Sequence, residues 1–299
     1  MSEPAHPKYP HLAPAVSRIA EMPNEERLPY VTPAKRWIAY DRAVGIHAEF
    51  KRLFNFPQRD RMPNMLLIGD SGNGKTRIVS KFVDDHSLPM QSKDEVRETP
   101  VLLVTMPSTP SISEFYRNIL GQYGTPYTKS TRDHDLERLV IEIASRVKTR
   151  LILIDEVQHL LATTKPKQRQ VLNVIKSLSN SLRISMVAAG TEEAMYAWRT
   201  DPQMVSRFET FRLPLWGFGR ELAQMLMAFE RTLPLRKPSN LGDDKIAKLL
   251  LSRTTCTIGS ISNALERAAE DAINDGSEQI TYDSLLGMFK KRGFYDGTG

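Results

Sequence analysis

Gly69-Asp70-Ser71-Gly72-Asn73-Gly74-Lys75-Thr76 is the segment of this 299-residue chain whose residue types and spacing constrain chemistry most. Its pattern is glycine, four free residues, then Gly-Lys-Thr. Such a loop wraps backbone N–H groups around a β-phosphate and adds the partial positive charge of a helix N-terminus. Lys75 then reaches the β- and γ-phosphates, and the Thr76 hydroxyl ligates Mg2+. A glycine-rich turn that merely precedes a helix would share these letters. Here the octet directly follows the apolar run Met65–Ile68 and directly precedes an amphipathic stretch, which is the context the mechanism needs.

A second constellation, Leu151-Ile152-Leu153-Ile154-Asp155-Glu156, ends four apolar residues with two carboxylates. At the carboxyl end of a buried strand they fall beside the phosphate loop. Asp155 suits the Mg2+ shell through water, and Glu156 suits activation of the attacking water. The alternative is a buried strand that ends in a solvated acidic turn. The chain has no Asn-Lys-x-Asp guanine motif, against a GTPase, and no Leu-Ser-Gly-Gly-Gln motif, against a transporter-type ATPase. A small-molecule kinase usually has no use for a second carboxylate that polarises water.

The elements that must position these groups follow from the hydrophobic pattern. Short apolar runs at Met65–Gly69, Val101–Thr105, Leu151–Asp155, Ile184–Gly190 and Phe211–Leu215 read as strands buried on both faces of a parallel sheet. Helix patterns lie between them at Lys75–His86, Ile112–Tyr123, Asp133–Val147 and Lys167–Leu182, and another precedes them at Pro33–Phe54. The alternation predicts an α/β class with a five-stranded parallel sheet covered by helices. After Leu215 the rhythm becomes helical, at Gly219–Leu233, Asp243–Ser252, Ser260–Asn274 and Tyr282–Arg292, with Trp216-Gly217-Phe218-Gly219 as a hinge. Six prolines within residues 1–30 predict an extended or partly ordered arm. The expected organisation is therefore an arm over 1–34, an α/β nucleotide-binding domain over 35–215 and a small helical lid over 216–299.

Composition bounds the class. Hydrophobic residues at 40% and charged residues at 25% are the balance of an ordinary soluble protein. The single cysteine, Cys256, excludes an internal disulfide framework and a four-cysteine zinc site, and reads as a small hydrophobe in a reducing cytosol. No apolar run approaches a membrane span, and the polar Met1–Leu12 lacks an apolar signal core, so a cytosolic protein is expected. The net charge of +6 permits an anionic partner without demanding one.

Together the phosphate loop, Asp155-Glu156, five buried strands and a helical C-terminal lid resemble the AAA+ ATPases over residues 35–295. The resemblance implies that a polar residue after the fourth strand senses the γ-phosphate. Thr191 stands there, where it could equally cap a helix over Glu192–Trp198. It also implies an arginine finger before the fifth strand that acts on the neighbouring subunit's ATP. Ser206-Arg207-Phe208 looks like that element, with Arg199 and Arg212 as the nearest competitors and a surface charge as the alternative. Many relatives carry an arginine three residues after a glycine at the start of a lid helix. Here Gly259 is followed by Ser262 at that position, and Arg253 and Arg267 are the arginines nearby. By family position Ile38 and Tyr40 border the adenine, although the residues alone support only a buried helix.

Within AAA+ the chain is similar to the TniB/TnsC group of transposon ATPases, TniB above all. The likeness lies in Trp37-Ile38-Ala39-Tyr40-Asp41-Arg42-Ala43, Leu67–Thr76, Ile154-Asp155-Glu156-Val157-Gln158-His159-Leu160 and Ala189-Gly190-Thr191-Glu192-Glu193-Ala194. This likeness implies a DNA-associated protein of the bacterial cytosol. With ATP it would assemble on double-stranded DNA as a ring or helical homo-oligomer and recruit or activate a DDE-type transposase, with a target-selection protein as a further partner.

In such an assembly Lys165, Lys167 and Arg169 would face the central channel and bind phosphates without reading sequence, with Lys129 and Arg132 as a second candidate set. The hydroxyls of Met106-Pro107-Ser108-Thr109-Pro110 are a third. A solvated helix start explains Lys165–Arg169 as well. His159 reads as a packing or capping residue, and Phe50, Phe54, Trp216 and Phe218 as core or hinge. Two other functions stay open: a helicase loader or replication initiator of the same fold, and an ATP-gated scaffold with negligible hydrolysis. No helix-turn-helix module follows Arg292, which counts against an initiator, and Glu156 with Arg207 counts against a pure scaffold.

Overall fold

The apolar runs become β1 (Asn64–Gly69), β2 (Val101–Thr105), β3 (Leu151–Asp155), β4 (Ser185–Gly190) and β5 (Phe208–Leu213) of one five-stranded sheet. The structure is a computed structural model that describes residues 8–33, 36–87, 98–128 and 130–291. The strand order is β2-β3-β4-β1-β5, and every pair is parallel. All residues of β1, β3 and β4 are buried, as strands covered on both faces require. Leu66, Ile68, Ile152, Ile154, Met186 and Ala188 share one core cluster with residues of the helices from Ile112 to Trp198. The alternate residues Met65, Leu67, Leu151, Leu153, Val187 and Ala189 are equally buried and face the other way.

The chain divides into two compact units. One comprises residues 45–71 and 75–214; the other comprises residues 1–44, 72–74 and 215–299. In chain order the helices are α1 (Pro14–Ile19), α2 (Asn24–Arg27), α3 (Asp41–Phe54), α4 (Lys75–His86), α5 (Ile112–Gln122), α6 (Asp133–Arg146), α7 (Lys165–Leu182), α8 (Ala194–Trp198) and α9 (Pro202–Arg207). The run continues with α10 (Arg220–Glu230), α11 (Asp244–Arg253), α12 (Ile258–Asn274) and α13 (Tyr282–Lys291). Thr257 and Ser260 close a capping box at the start of α12.

Three local expectations are corrected. Residues 14–30 form α1, α2 and a 3-10 turn at Leu28–Tyr30 rather than an extended arm, because Pro14 and Pro29 sit at helix starts, where a missing N–H costs nothing. The helix expected from Pro33 begins at Asp41, whose carboxylate suits the positive end, so Ile38 and Tyr40 are buried on a non-helical stretch. The fifth strand starts at Phe208, not Phe211, and stops before Pro214. Of the residues read as core or hinge, Phe218 lies exposed in the segment between β5 and α10, with Lys248 4.6 Å above its ring.

A buried ion pair ties the first helices to the last. Arg27 is fully buried and Nη1 donates to Glu278 Oε2 (2.7 Å) and to Pro234 O (3.0 Å), while Asn24 Nδ2 donates to Ile273 O (3.0 Å). Burial pushes the Glu278 carboxyl up, but hydrogen bonds from Arg27 and from the Arg236 backbone outweigh it and hold the group below the usual range. A lowered folded pKa stabilises the native state above the unfolded value of about 4.3, and that contribution is lost as pH falls through the folded one.

Arg27→Met leaves a buried carboxylate. It is expected to cost about 3–5 kcal/mol, towards the lower figure because Arg236 still lies 3.5 Å from Glu278. Urea unfolding at pH 7 measures this, and Arg27→Met/Glu278→Leu should regain part of the loss. A loss within experimental error for the single variant would mean the pair is not a structural tie.

Candidate functional site

The phosphate loop begins where β1 ends at Gly69 and closes where α4 begins at Lys75. Gly72 (φ +75°) and Gly74 (φ +86°) occupy the left-handed region, where a side chain is strained. Lys75 is buried, and its Nζ donates to Gly69 O (2.7 Å) and Asp70 O (2.8 Å), so the ammonium lies inside the curl of its own loop. Burial pushes the ammonium below the ordinary lysine range, against the opposing pull of Asp155, Glu156, Asp70 and Glu193. Gly72–Gly74 belong to the same unit as α12. There Gly259 N donates to Gly72 O (2.9 Å), and a Cβ on Gly259 would lie 2.8 Å from that oxygen.

Strand order supplies the rest. β4 lies between β1 and β3, and the register sets Ile68 opposite Gly190 and Ile154 opposite Ala188. The carboxyl ends of the three strands therefore converge, with Thr191 emerging between the phosphate loop and Asp155-Glu156. Asp155 is buried, and its Oδ1 accepts from Glu156 N (2.9 Å). Burial raises the Asp155 pKa, while hydrogen bonds from the Thr76 hydroxyl and Glu156 N pull the other way. Glu156 turns out of the strand in the left-handed region (φ +59°), a conformation that costs a non-glycine residue roughly 1–3 kcal/mol.

Among the described residues no group of three or more His, Cys, Asp or Glu could hold a metal ion by itself. Mg2+ with a nucleotide needs less, one or two protein oxygens beside phosphates and waters. The hydrogen-bonded pair of the Thr76 hydroxyl and the under-compensated Asp155 carboxylate fits that demand.

The remaining sequence candidates fall as follows. The Thr191 hydroxyl bonds the Glu193 carboxylate, which is held below its usual range by that bond first and by a backbone N–H second. Helix α8 starts at Ala194, with no side-chain cap from Thr191. Arg207 ends α9 at the opposite, amino end of the sheet, where Asn64 pairs Phe208. Its Nη1 donates to Asn180 Oδ1 (2.8 Å), and it lines an open pocket of about 500 Å³ with Arg59 and Arg61. Arg212 pairs with Glu192 (3.3 Å).

Lys165, Lys167 and Arg169 are exposed on the first turns of α7, which starts two residues earlier than expected. Arg132 is exposed at the start of α6, and Lys129 lies outside the described residues. His159 bonds Met106 O (2.9 Å), a packing role. Ser262, in place of a lid arginine, bonds Glu266 (3.1 Å). Tyr40 packs edge-on to Trp216 (5.2 Å), over which Arg42 lies at 4.7 Å, and burial pushes the Tyr40 hydroxyl up to about 12. The structure thus gathers Lys75, Thr76, Asp155, Glu156 and Thr191, and sets Arg207 apart.

Two residues went unnoticed in the sequence. Arg61 shares the Arg207 pocket and donates to Ser206 Oγ (3.2 Å); nothing local marks it. Gln158 contacts Glu156, and its place two residues on was the available signal.

A parallel sheet in this order, a phosphate loop after the interior strand β1, an Asp-Glu pair two strands away and added C-terminal helices make up the α/β fold of the AAA+ P-loop NTPases. Within that class the chain belongs to the family described as bacterial TniB protein, whose model matches residues 27–218.

Solved structures with this fold include three at low identity. The ORC2 protein of Aeropyrum pernix has a TM-score of 0.62 and 17% identity, over 88% of this chain and 71% of that one. Cdc6p from Pyrobaculum aerophilum has a TM-score of 0.62 and 13% identity, over 90% and 72%. The Thermotoga maritima RuvB Holliday junction branch migration motor has a TM-score of 0.53 and 14% identity, over 88% and 73%. These likenesses are of fold. No curated protein sequence matches the chain significantly. Among the described residues no helix is long and apolar enough to cross a membrane.

Proposed function

We propose that this chain is an ATP-hydrolysing transposition protein that assembles on double-stranded DNA with ATP and recruits or activates a DDE-type transposase. The observation that carries the ATPase part is the convergence of Lys75, Thr76, Asp155, Glu156 and Thr191 at one end of the sheet. Lys75 leaves its loop carbonyls for the β- and γ-phosphate oxygens, whose charge it neutralises. Thr76 and Asp155 would hold Mg2+, which supplies charge neutralisation at the phosphates when bound. Glu156 takes the proton of the attacking water, and the Thr191 hydroxyl marks the γ-phosphate. Arg207 of one subunit serves the ATP of the next.

Support for DNA comes from α7. Its first turn holds no acidic residue, Thr164 makes no side-chain cap, and Lys165, Lys167 and Arg169 crowd the positive end of the helix dipole. Cations there oppose the dipole and gain only if an anion is near. An ORC1 protein of Aeropyrum pernix, of the same fold at 15% identity, has been solved in complex with DNA. The family match to TniB supports transposition over helicase loading.

Replacing Lys165, Lys167 and Arg169 together should weaken duplex binding on every sequence. It should also flatten the slope of log K against log salt by about 0.9 per lost contact. Fluorescence anisotropy over a salt series with a non-hydrolysable ATP analogue reads both. An unchanged slope and affinity would show that these charges are merely solvated.

A further inference from the structure

We infer that Gln158 is a positioning residue for hydrolysis: its side-chain amide couples the Glu156 carboxylate to the backbone at Thr191. The inference rests on Glu156 as the general base. Gln158 sits half-buried on the 3-10 turn Val157–Ala162 that follows β3. Its Nε2 donates to Glu156 Oε2, and its Oε1 accepts from Thr191 N (3.2 Å). Chemistry fixes which way the amide points. The Thr191 N–H can only donate, so it must meet the oxygen, and the ionised carboxylate can only accept, so it must meet the nitrogen. One planar group therefore joins the end of the strand that carries the base to the end of the strand that carries the γ-phosphate candidate.

The backbone makes room for this link. A Cβ on Gly190 would stand 2.9 Å from Gln158 Oε1 and 2.7 Å from Val157 Cγ2, so an alanine there is incompatible with the amide where it lies. On the other side, Glu156 leaves β3 in the left-handed region, and its amide is held by Asp155 Oδ1. With its backbone tied to Asp155 and one carboxylate oxygen tied to Gln158, the base keeps its other oxygen for water. A base held at the distance of attack gains rate that a freely rotating carboxylate forfeits, and a displacement of about 1 Å costs about 10²-fold. A shift of Thr191 towards a γ-phosphate is transmitted to Glu156 through the same amide.

The test compares Gln158→Met, which keeps length and bulk but no polar atom, with Gln158→Glu, which sets a like charge against Glu156. Both should bind ATP with wild-type affinity and lower kcat by about 10–10²-fold, with KM held. Gly190→Ala should reproduce the defect by displacing the amide, and adding it to Gln158→Met should lower kcat little further. If Gln158→Met keeps kcat within twofold, raises it, or loses kcat and ATP affinity together, the positioning role is wrong. Glu156→Gln measured alongside separates this from the underlying reading. Full hydrolysis in that variant overturns the base itself, whereas its loss beside a fully active Gln158→Met overturns only the role of Gln158.

Discussion

Arg207→Ala is expected to bind ATP nearly as the wild type does and to hydrolyse it about 10³–10⁵ times more slowly, the range for arginines that stabilise phosphoryl-transfer charge. The geometry sets the reason. Arg207 precedes Phe208, which pairs with Asn64 at the start of β1, while the phosphate loop leaves β1 at Gly69, which pairs with Leu213. At about 3.3 Å per residue the length of β1 separates the guanidinium from its own phosphate site, farther than an arginine side chain spans. Arg207 can act on ATP only in another subunit.

Its present bond to Asn180 is a partly exposed contact, so the variant should fold normally. A mixture of Arg207→Ala with Glu156→Gln should regain activity, because an interface between the two pairs an intact Arg207 with an intact Glu156. Steady-state hydrolysis across a protein dilution series and in the mixture decides it. A rate per subunit that ignores dilution, with no rescue on mixing, places hydrolysis within one chain.

Glu156→Gln is expected to retain ATP binding and lose turnover by about 10²–10⁴-fold, the contribution of a placed general base. The amide is nearly isosteric and keeps an acceptor for Gln158, so the loss reports proton transfer rather than a collapsed turn. Lys75→Ala should separate from it by losing affinity. That ammonium lies inside the loop, bonded to Gly69 O and Asp70 O, and there the phosphate charge would go unanswered without it. Equilibrium nucleotide binding and hydrolysis on both variants check the division. A fully active Glu156→Gln would return the catalytic role to some other group.

The parts of this protein that short-range physics controls were legible in the residues. Gly72 and Gly74 take positive φ because only glycine does so without strain, and the helix after them spans Lys75–His86 as its pattern predicts. The strands that carry Gly69 and Asp155 declared themselves as short apolar runs because both of their faces are covered. Where a local signal was ambiguous, the reading slipped. Pro14 and Pro29 read as part of a break in structure but sit at helix starts. Phe208 read as lying three residues ahead of the fifth strand and is its first residue.

What the tertiary structure alone decided is which ends meet. Fully apolar strands look alike in sequence whichever neighbours they take, so nothing local told that β4 lies between β1 and β3 and sets Thr191 between Lys75 and Glu156. The same long-range pairing carried Arg207 to the far end of the sheet, closed Arg27 on Glu278 across most of the chain, and brought the Gln158 amide between Glu156 and Thr191. Backbone preference and periodicity act over a few residues. The free energy that selects strand neighbours comes from burial and hydrogen bonds between segments far apart in the chain, and no window of sequence contains it.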